Sequence, residues 1–288
     1  MTDKIFKTCM ALAIAVMMLT ATVFADDINN GIDWQKGVVR ATGSGSYKPG
    51  AKMAARRSQS LRAAKMDAER NLAEAVHGVH VTSESSMRDL ELEYDIVKAS
   101  VNAVIQGMSQ IGEPTYYKDG SCEITLEMPI FGASNSVAVA AFAPFRDEPR
   151  VPFPQPTSTN INITTNVTTN VQGVVSGNYT GVVVDCSGMG LEAVMSPVIL
   201  NSNGQPIYGH QNLDIDRVIE YGMASYANSA NDSISRDRAG NNPIVVRAQR
   251  LDGTFHGNPV VSVADSDKIL IANQTGMFLE NCNVVFVK

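Results

Sequence analysis

The chain predicts an α+β fold built as two small mixed domains, and three observations carry that prediction. Segments with helical spacing of apolar residues alternate with short β-branched runs, so helices and strands are interleaved. Turn signals such as Lys118-Asp119-Gly120 and Asn203-Gly204 stand between apolar runs, as hairpins require. Composition changes abruptly between Pro144 and Asn178, which sets a first region apart from a second.

Residues 1–25 read as a secretory signal. Lys4 and Lys7 precede the apolar run "CMALAIAVMMLTATVF", and Val23-Phe24-Ala25 puts small residues before a cleavage point. The run is shorter than a membrane span and meets Asp26-Asp27 at once. Cys9 stands at its beginning, whereas lipid attachment needs a cysteine at its end, so no lipid is expected. Cleavage removes Asp3, Lys4 and Lys7 and takes the net charge from -6 to -7. A mildly acidic chain without a basic run argues against nucleic acid as a partner. Cys122, Cys186 and Cys282 remain, too few for a disulfide scaffold. They read as small buried thiols, with a Cys186–Cys282 bridge as the alternative.

The first domain, residues 26–143, reads β-α-β-α-β-β. "KGVVRATGSGSY" is a strand ending in a glycine-rich turn, and "AKMAARRSQSLRAAKMDAERNLAEAVHG" is a long helix. Its Leu61, Ala64, Ala68, Leu72, Ala75 and Val76 share one face, and Gly78 stops it. "VHVTSES" reads as a short strand. A second helix spaces Met87, Leu90, Tyr94, Val97, Val101 and Val104 for core packing and ends at Gly107. In the last strand Cys122, Ile124, Leu126, Met128 and Ile130 alternate with Glu123, Thr125 and Glu127, the pattern of a sheet with one buried face.

These residues resemble a known family. The "ATGSGS" strand end, the run Ala64 to Val81 within the long helix, and the "YYKDGSCEITLEMPI" hairpin are similar to the LPP-twenty lipoprotein family, whose domain resembles the N-terminal domain of flagellar assembly protein T. The likeness covers roughly residues 33–132. It implies a bacterial envelope protein, often at the outer membrane and sometimes tied to flagella, and it brings no catalytic residues. The chain departs from the family in lacking the lipid-bearing cysteine.

Residues 144–178 are expected to be a linker, proline-rich at first and then the Asn/Thr tract "NINITTNVTTNV". The second domain, residues 179–288, reads as a mostly antiparallel sheet with one main helix, "DIDRVIEYGMASYANSA". "YTGVVVDCSG", "EAVMSPVILNS", "NPIVVRAQRLDG", "NPVVSVADSDKILIANQ" and "ENCNVVFVK" supply its strands. Asp185, Gly188, Gly190, Leu191, Ser196, Pro197, Gly204, Tyr208 and Gly209 form a pattern similar to that of uncharacterised bacterial envelope proteins carrying an LPP-type domain.

One stretch, "GVVVDCSGMGLEAVMSP", invites a chemical reading. Asp185-x-Ser187 resembles the Asp-x-Ser-x-Ser metal site of von Willebrand A-type domains, but Met189 stands where the second hydroxyl is needed. A phosphate loop would need Lys-Ser/Thr where Leu191-Glu192 stands. The stretch therefore reads as a turn, with Asp185 accepting from backbone amides. Asp265 and Asp267 read as turn carboxylates before Lys268. His77 and His80 lack accompanying ligands at metal spacing, and His210 and His256 stand isolated in loops.

No catalytic, cofactor or metal residue is assigned. The expected function is a non-enzymatic, exported structural or interaction module, periplasmic or outer-membrane-associated, whose partners are envelope proteins, flagellar or outer-membrane components, or further copies of itself. The alternative is a ligand- or cation-binding module or hydrolase with its site near Asp185. Intact-mass measurement on protein recovered from the envelope should give an N-terminus at Asp26 with no added lipid. A lipidated N-terminus, or full-length chain in the inner membrane, would overturn the export reading.

Overall fold

The computed structural model describes residues 30–157 and 178–288, so the expected signal and the tract of residues 160–171 lie outside the described residues. The fold is α+β. The first half runs β1 (Gly31–Asp33), β2 (Val38–Gly45), α1 (Met53–His77), α2 (Met87–Glu93), α3 (Asp95–Gln106), β3 (Ser109–Tyr116), β4 (Cys122–Pro129) and α4 (Val137–Ala141). Its strands form an antiparallel sheet in the order β1-β2-β4-β3. Val39, Ala41, Ile124, Leu126 and Met128 are buried on the inner face. The outer face is polar: Arg40 pairs with Glu127 at 2.6 Å and Thr42 meets Thr125 at 3.0 Å across the β2–β4 ladder. The expected one-sided burial is present.

Helix α1 lies directly on β2. A Cβ on Gly43 would stand 2.0 Å from the Ala68 nitrogen, and one on Gly45 would stand 2.2 Å from the Ala64 nitrogen. The glycines expected to make a turn instead continue the strand and leave space for helix backbone. Small residues complete the contact from the other side, with Ala64 and Ala68 fully buried. Two α1 side chains then serve the strand's own backbone. The Asn71 amide donates to the Thr42 carbonyl at 2.9 Å, and Asp67 accepts from the Ser44 N–H at 3.0 Å.

The second predicted helix is divided. Tyr94 is extended (φ -128°) and separates α2 from α3, although the buried set Met87, Leu90, Val97, Val101 and Val104 is as expected. Ser86 and Asp89 form a reciprocal cap at the start of α2, with the Ser86 N–H donating to Asp89 at 2.7 Å. The expected strand "VHVTSES" reduces to one bridge, His80 to Ser86, because the Val81 and Thr82 amides both turn back to the Ser85 carbonyl.

The second half corrects several expectations. Strands β5 (Gly181–Asp185), β8 (Ser225–Ala227), β9 (Pro243–Arg247) and β12 (Val284–Val287) form a parallel sheet in the order β8-β12-β5-β9, where a mostly antiparallel one was expected. The signal was the unbroken apolar runs "GVVV" and "VVFV", which suit strands covered on both faces. Beside it, β6 (Ile199–Asn201), β7 (Pro206–Tyr208), β10 (Arg250–Asp252) and β11 (Asn258–Val261) form a mixed sheet in the order β10-β11-β6-β7. Of "EAVMSPVILNS" only Ile199–Asn201 is strand.

Helices differ as well. The expected main helix stops as α5 (Ile215–Tyr221) at Gly222, whose φ of +73° is left-handed, and Tyr226 belongs to β8. α6 (Ser233–Ala239) follows, capped by Asp232. The segment read as strand and turn around Asp265 is α7 (Val263–Gly276), capped where Ser262 accepts from the Asp265 N–H at 3.0 Å. Among the described residues no helix is long and apolar enough to cross a membrane.

The two halves share one hydrophobic core. Loop residues 79–86 enter the second half, where the His80 and Val81 carbonyls accept from the Met195 and Ser196 amides at 3.0 and 2.7 Å. The buried Ser83 hydroxyl donates to the Asp252 carbonyl at 3.0 Å and accepts from the Gly257 N–H at 2.9 Å. Residues 151–157 run along the second half, with the Val151 N–H on the Gln211 carbonyl at 2.8 Å and the Thr157 N–H on Asp267 at 2.6 Å. Gly43→Ala should cost about 3 kcal/mol by forcing helix from strand. Gly112→Ala should cost about 1 kcal/mol, since φ there is +65° but nothing lies within 4 Å. Urea melts of both variants check the contrast, and equal losses would argue against the close-approach account.

Candidate functional site

The carboxyl edge of the parallel sheet is where an open α/β sheet places its ligands, because strand ends and their loops converge there. Asp185 is the last residue of β5, in the middle of that edge. The ladder continues one step beyond it: the Cys186 N–H donates to the Val287 carbonyl and the Ala248 N–H to the Asp185 carbonyl, both at 2.9 Å. The backbone then turns through Gly188 (φ +76°) and Gly190 (φ +77°), both in the left-handed region. A Cβ at either glycine would meet nothing within 4 Å, so a substitution there would strain φ without a clash.

Both oxygens of the Asp185 carboxylate are engaged. Oδ1 accepts from the Ser187 N–H at 2.9 Å and from the Ser187 hydroxyl. Oδ2 meets the Arg247 guanidinium at 2.5 Å, and the same guanidinium donates to the Ser187 carbonyl at 2.9 Å. The Ser187 hydrogen bonds, joined by Arg247, hold the carboxyl below its ordinary range. The chemistry of this arrangement is a closed turn, with β9 tied to the loop that leaves β5.

The other residues singled out by sequence lie apart. His77 Nε2 stands 3.2 Å from Glu91, whereas His80 stacks on Phe255 with ring centroids 3.9 Å apart. His210 is not isolated: its Nδ1 lies 2.9 Å from the Ser196 hydroxyl, and burial pushes its imidazole below the usual value. Sequence gave no sign of this pair, because the residues meet only when the Ser196 loop is carried to the turn after β7. His256 is exposed and has a left-handed backbone (φ +52°).

Cys122, Cys186 and Cys282 are free and buried, so the alternative Cys186–Cys282 bridge is absent. Burial, then the neighbouring Asp185 charge, pushes the Cys186 thiol up to about 12, which makes it a poor nucleophile at neutral pH. Asp265 and Asp267 are not a turn pair. Asp265 caps α7 with Ser262, and Asp267 is buried and receives the Thr157 N–H. The Ser-x-x-Asp spacing was the readable capping signal. Among the described residues, no group of three or more His, Cys, Asp or Glu is gathered for a metal ion.

Residues 181–288 match the family model of the second domain of Treponema pallidum Tp0624. That stretch is similar to a bacterial domain, and the match opens at Gly181, the first residue of β5. It contains the whole parallel sheet, the Asp185 turn and Ser196, and leaves residues 33–132 uncovered. No curated protein matches the chain.

Asp185→Asn keeps an acceptor for Ser187 and removes the charge facing Arg247. The expected cost is about 0.5–1 kcal/mol at pH 7, as for a partly exposed ion pair. Because the folded carboxyl is depressed, its contribution is complete above the unfolded value of about 4 and is lost as pH falls through the folded one. Thermal melts at pH 7 and pH 3 should therefore show a gap between parent and variant that closes in acid. A gap of the same size at both would remove the carboxylate charge from the account.

Proposed function

We propose that the protein is a non-enzymatic, exported bacterial envelope protein that works as a structural or interaction module, with flagellar or outer-membrane assembly as its setting. The observation that supports this most is how the chemistry-bearing side chains are used. Asp185 is closed by Ser187 and Arg247, the three described thiols are buried, and the Asp265 and Asp267 carboxylates serve the start of α7 and the Thr157 backbone. The Ser196–His210 pair has the residue types of a nucleophile and base, but Ser196 is only 2 % exposed, and a substrate must reach the attacking oxygen.

The bacterial setting is supported by the likeness of residues 181–288 to the Tp0624 domain, and the resemblance of residues 33–132 to the LPP-type pattern rests on the sequence alone. The first half keeps the strand, the long helix and the closing hairpin of that pattern, while the strand expected between the helices is a single bridge and the second helix is divided. The polar outer face of its sheet and the shared core make a stiff body suited to holding partners in fixed relation.

Cross-linking in intact cells, with mass spectrometry of the products, should recover the protein joined to named envelope components or to itself in the envelope fraction. Recovery only as an uncross-linked cytoplasmic chain would overturn the proposal. So would a hydrolytic activity that Ser196→Ala abolishes while the melting temperature is unchanged.

A further inference from the structure

A second feature occupies the same carboxyl edge of the parallel sheet, at the end away from Asp185. A cleft of about 350 Å³ opens between β1 and the ends of β8 and β12. Its walls include Asp33, Trp34, Gln35, Tyr226, Asn228 and Lys288. Trp34 is the one tryptophan of the chain, half-buried, and meets Tyr226 edge to face at 5.7 Å. The Tyr226 hydroxyl is already engaged, donating to the Val194 carbonyl at 2.8 Å and accepting from the Val194 N–H at 2.9 Å. Tyr226 is only 4 % exposed and its ring backs the Trp34 indole, which is the aromatic surface open to the cleft.

Asp33 is held in place by its own turn. Its Oδ1 accepts from the Gln35 and Lys36 amides at 3.1 and 2.9 Å, which sets the loop on which Trp34 and Gln35 stand. Gln35, Asn228 and Lys288 are exposed. The result is an indole, backed by a phenol ring and surrounded by a carboxylate, three carboxamides (Asn30, Gln35 and Asn228) and an ammonium group, in a space of the size that small ligands occupy. We propose that this cleft is a saccharide-binding site. The indole offers flat apolar surface to the C–H face of a pyranose, and hydroxyls are matched by carboxamides, which donate and accept, and by the carboxylate, which accepts.

Other ligand classes fit less well. A phosphate-bearing ligand would want a cluster of cations or a run of glycine amides, and the cleft brings one lysine opposite one aspartate. A fatty chain would strip water from the carboxamides and the Asp33 carboxylate without replacing its hydrogen bonds, which is costly. The inference stands on this cleft and not on the envelope reading above, although an exported protein would meet saccharides there.

The single tryptophan supplies the measurement. Glucose, galactose and N-acetylglucosamine, each as monosaccharide and disaccharide, are titrated into the mature chain while Trp34 emission is followed. A saturable change at millimolar sugar is expected, weakened at least tenfold by Asn228→Ala and by Gln35→Ala, two exposed positions whose melting temperatures should stay at the parental value. Calorimetry on Trp34→Phe, which has no indole emission, should show the same loss. No saturable change with any of these sugars up to 50 mM (roughly the weak end of small-ligand affinity) would overturn the proposal. Binding indifferent to both substitutions would overturn it too, as would a response to inorganic phosphate or decanoate in place of sugar. Cross-linking to envelope components is untouched by those results, so the two proposals fail separately.

Discussion

The contact on which the molecule depends is backbone against backbone. Helix α1 rests on β2 at Gly43 and Gly45, closer than any side chain would allow. Interiors are packed too densely for such a contact to loosen locally, so the position of the whole helix follows from it. The helix in turn fixes where residues 79–86 emerge. That loop carries the His80 and Val81 carbonyls and the Ser83 hydroxyl into the second half, where six backbone groups, of Met195, Ser196, Asp252, Thr254, Phe255 and Gly257, bond to it. A glycine pair in the first strand thus governs how the two halves meet.

The second half is organised by a different constraint, the need to cover a parallel sheet on both faces. Val182, Val184 and Phe286 join the large core shared with the first half, whereas Val183, Val285 and Val287 pack with Ala227 and Ala239 under α6. Arg238 of α6 holds this cover in place. It donates to the carbonyls of Cys282 at 2.6 Å and Tyr221 at 2.8 Å and to that of Gly222, joining the end of α5 to the chain entering β12. These carbonyls have no carboxylate among them. Among the described residues the guanidinium is satisfied by carbonyl dipoles, an arrangement available to arginine because its planar donors point several ways.

How much of this was legible in the sequence depends on the range of the interaction. Periodicity revealed α1, the buried set of α2 and α3, and the β3–β4 hairpin, since neighbours three, four or two residues apart decide them. It failed where the deciding partner is distant. "VHVTSES" has strand composition, but its carbonyls bond to a loop more than 100 residues on. The direction of β5 and β12 is present in their unbroken apolar runs, which composition alone does not separate from strands of an antiparallel sheet. Ser262 and Asp265 spell a helix start in the Ser-x-x-Asp spacing. At Asp185 the local half of the geometry, the turn with Ser187 and two glycines, could be read, and Arg247 could not, because only the β5–β9 register brings it opposite.

That register also explains why the two ends of one sheet edge differ. Asp185 and Arg247 are paired residues on adjacent parallel strands, so their side chains leave the ladder side by side and can neutralise each other. At the other end, β8 and β12 stop at Ala227 and Val287, and Ala227 has no polar side chain to close the gap. What lies beyond them is Asn228 and Lys288, and the facing wall comes from β1 and the turn after it in the first half of the chain. Groups brought together from separate halves have no ladder to pair them, and they line a space instead of filling it. The closed turn and the open cleft are consequences of one sheet, with β5 and β9 paired at one end and the β8 end completed by the neighbouring half.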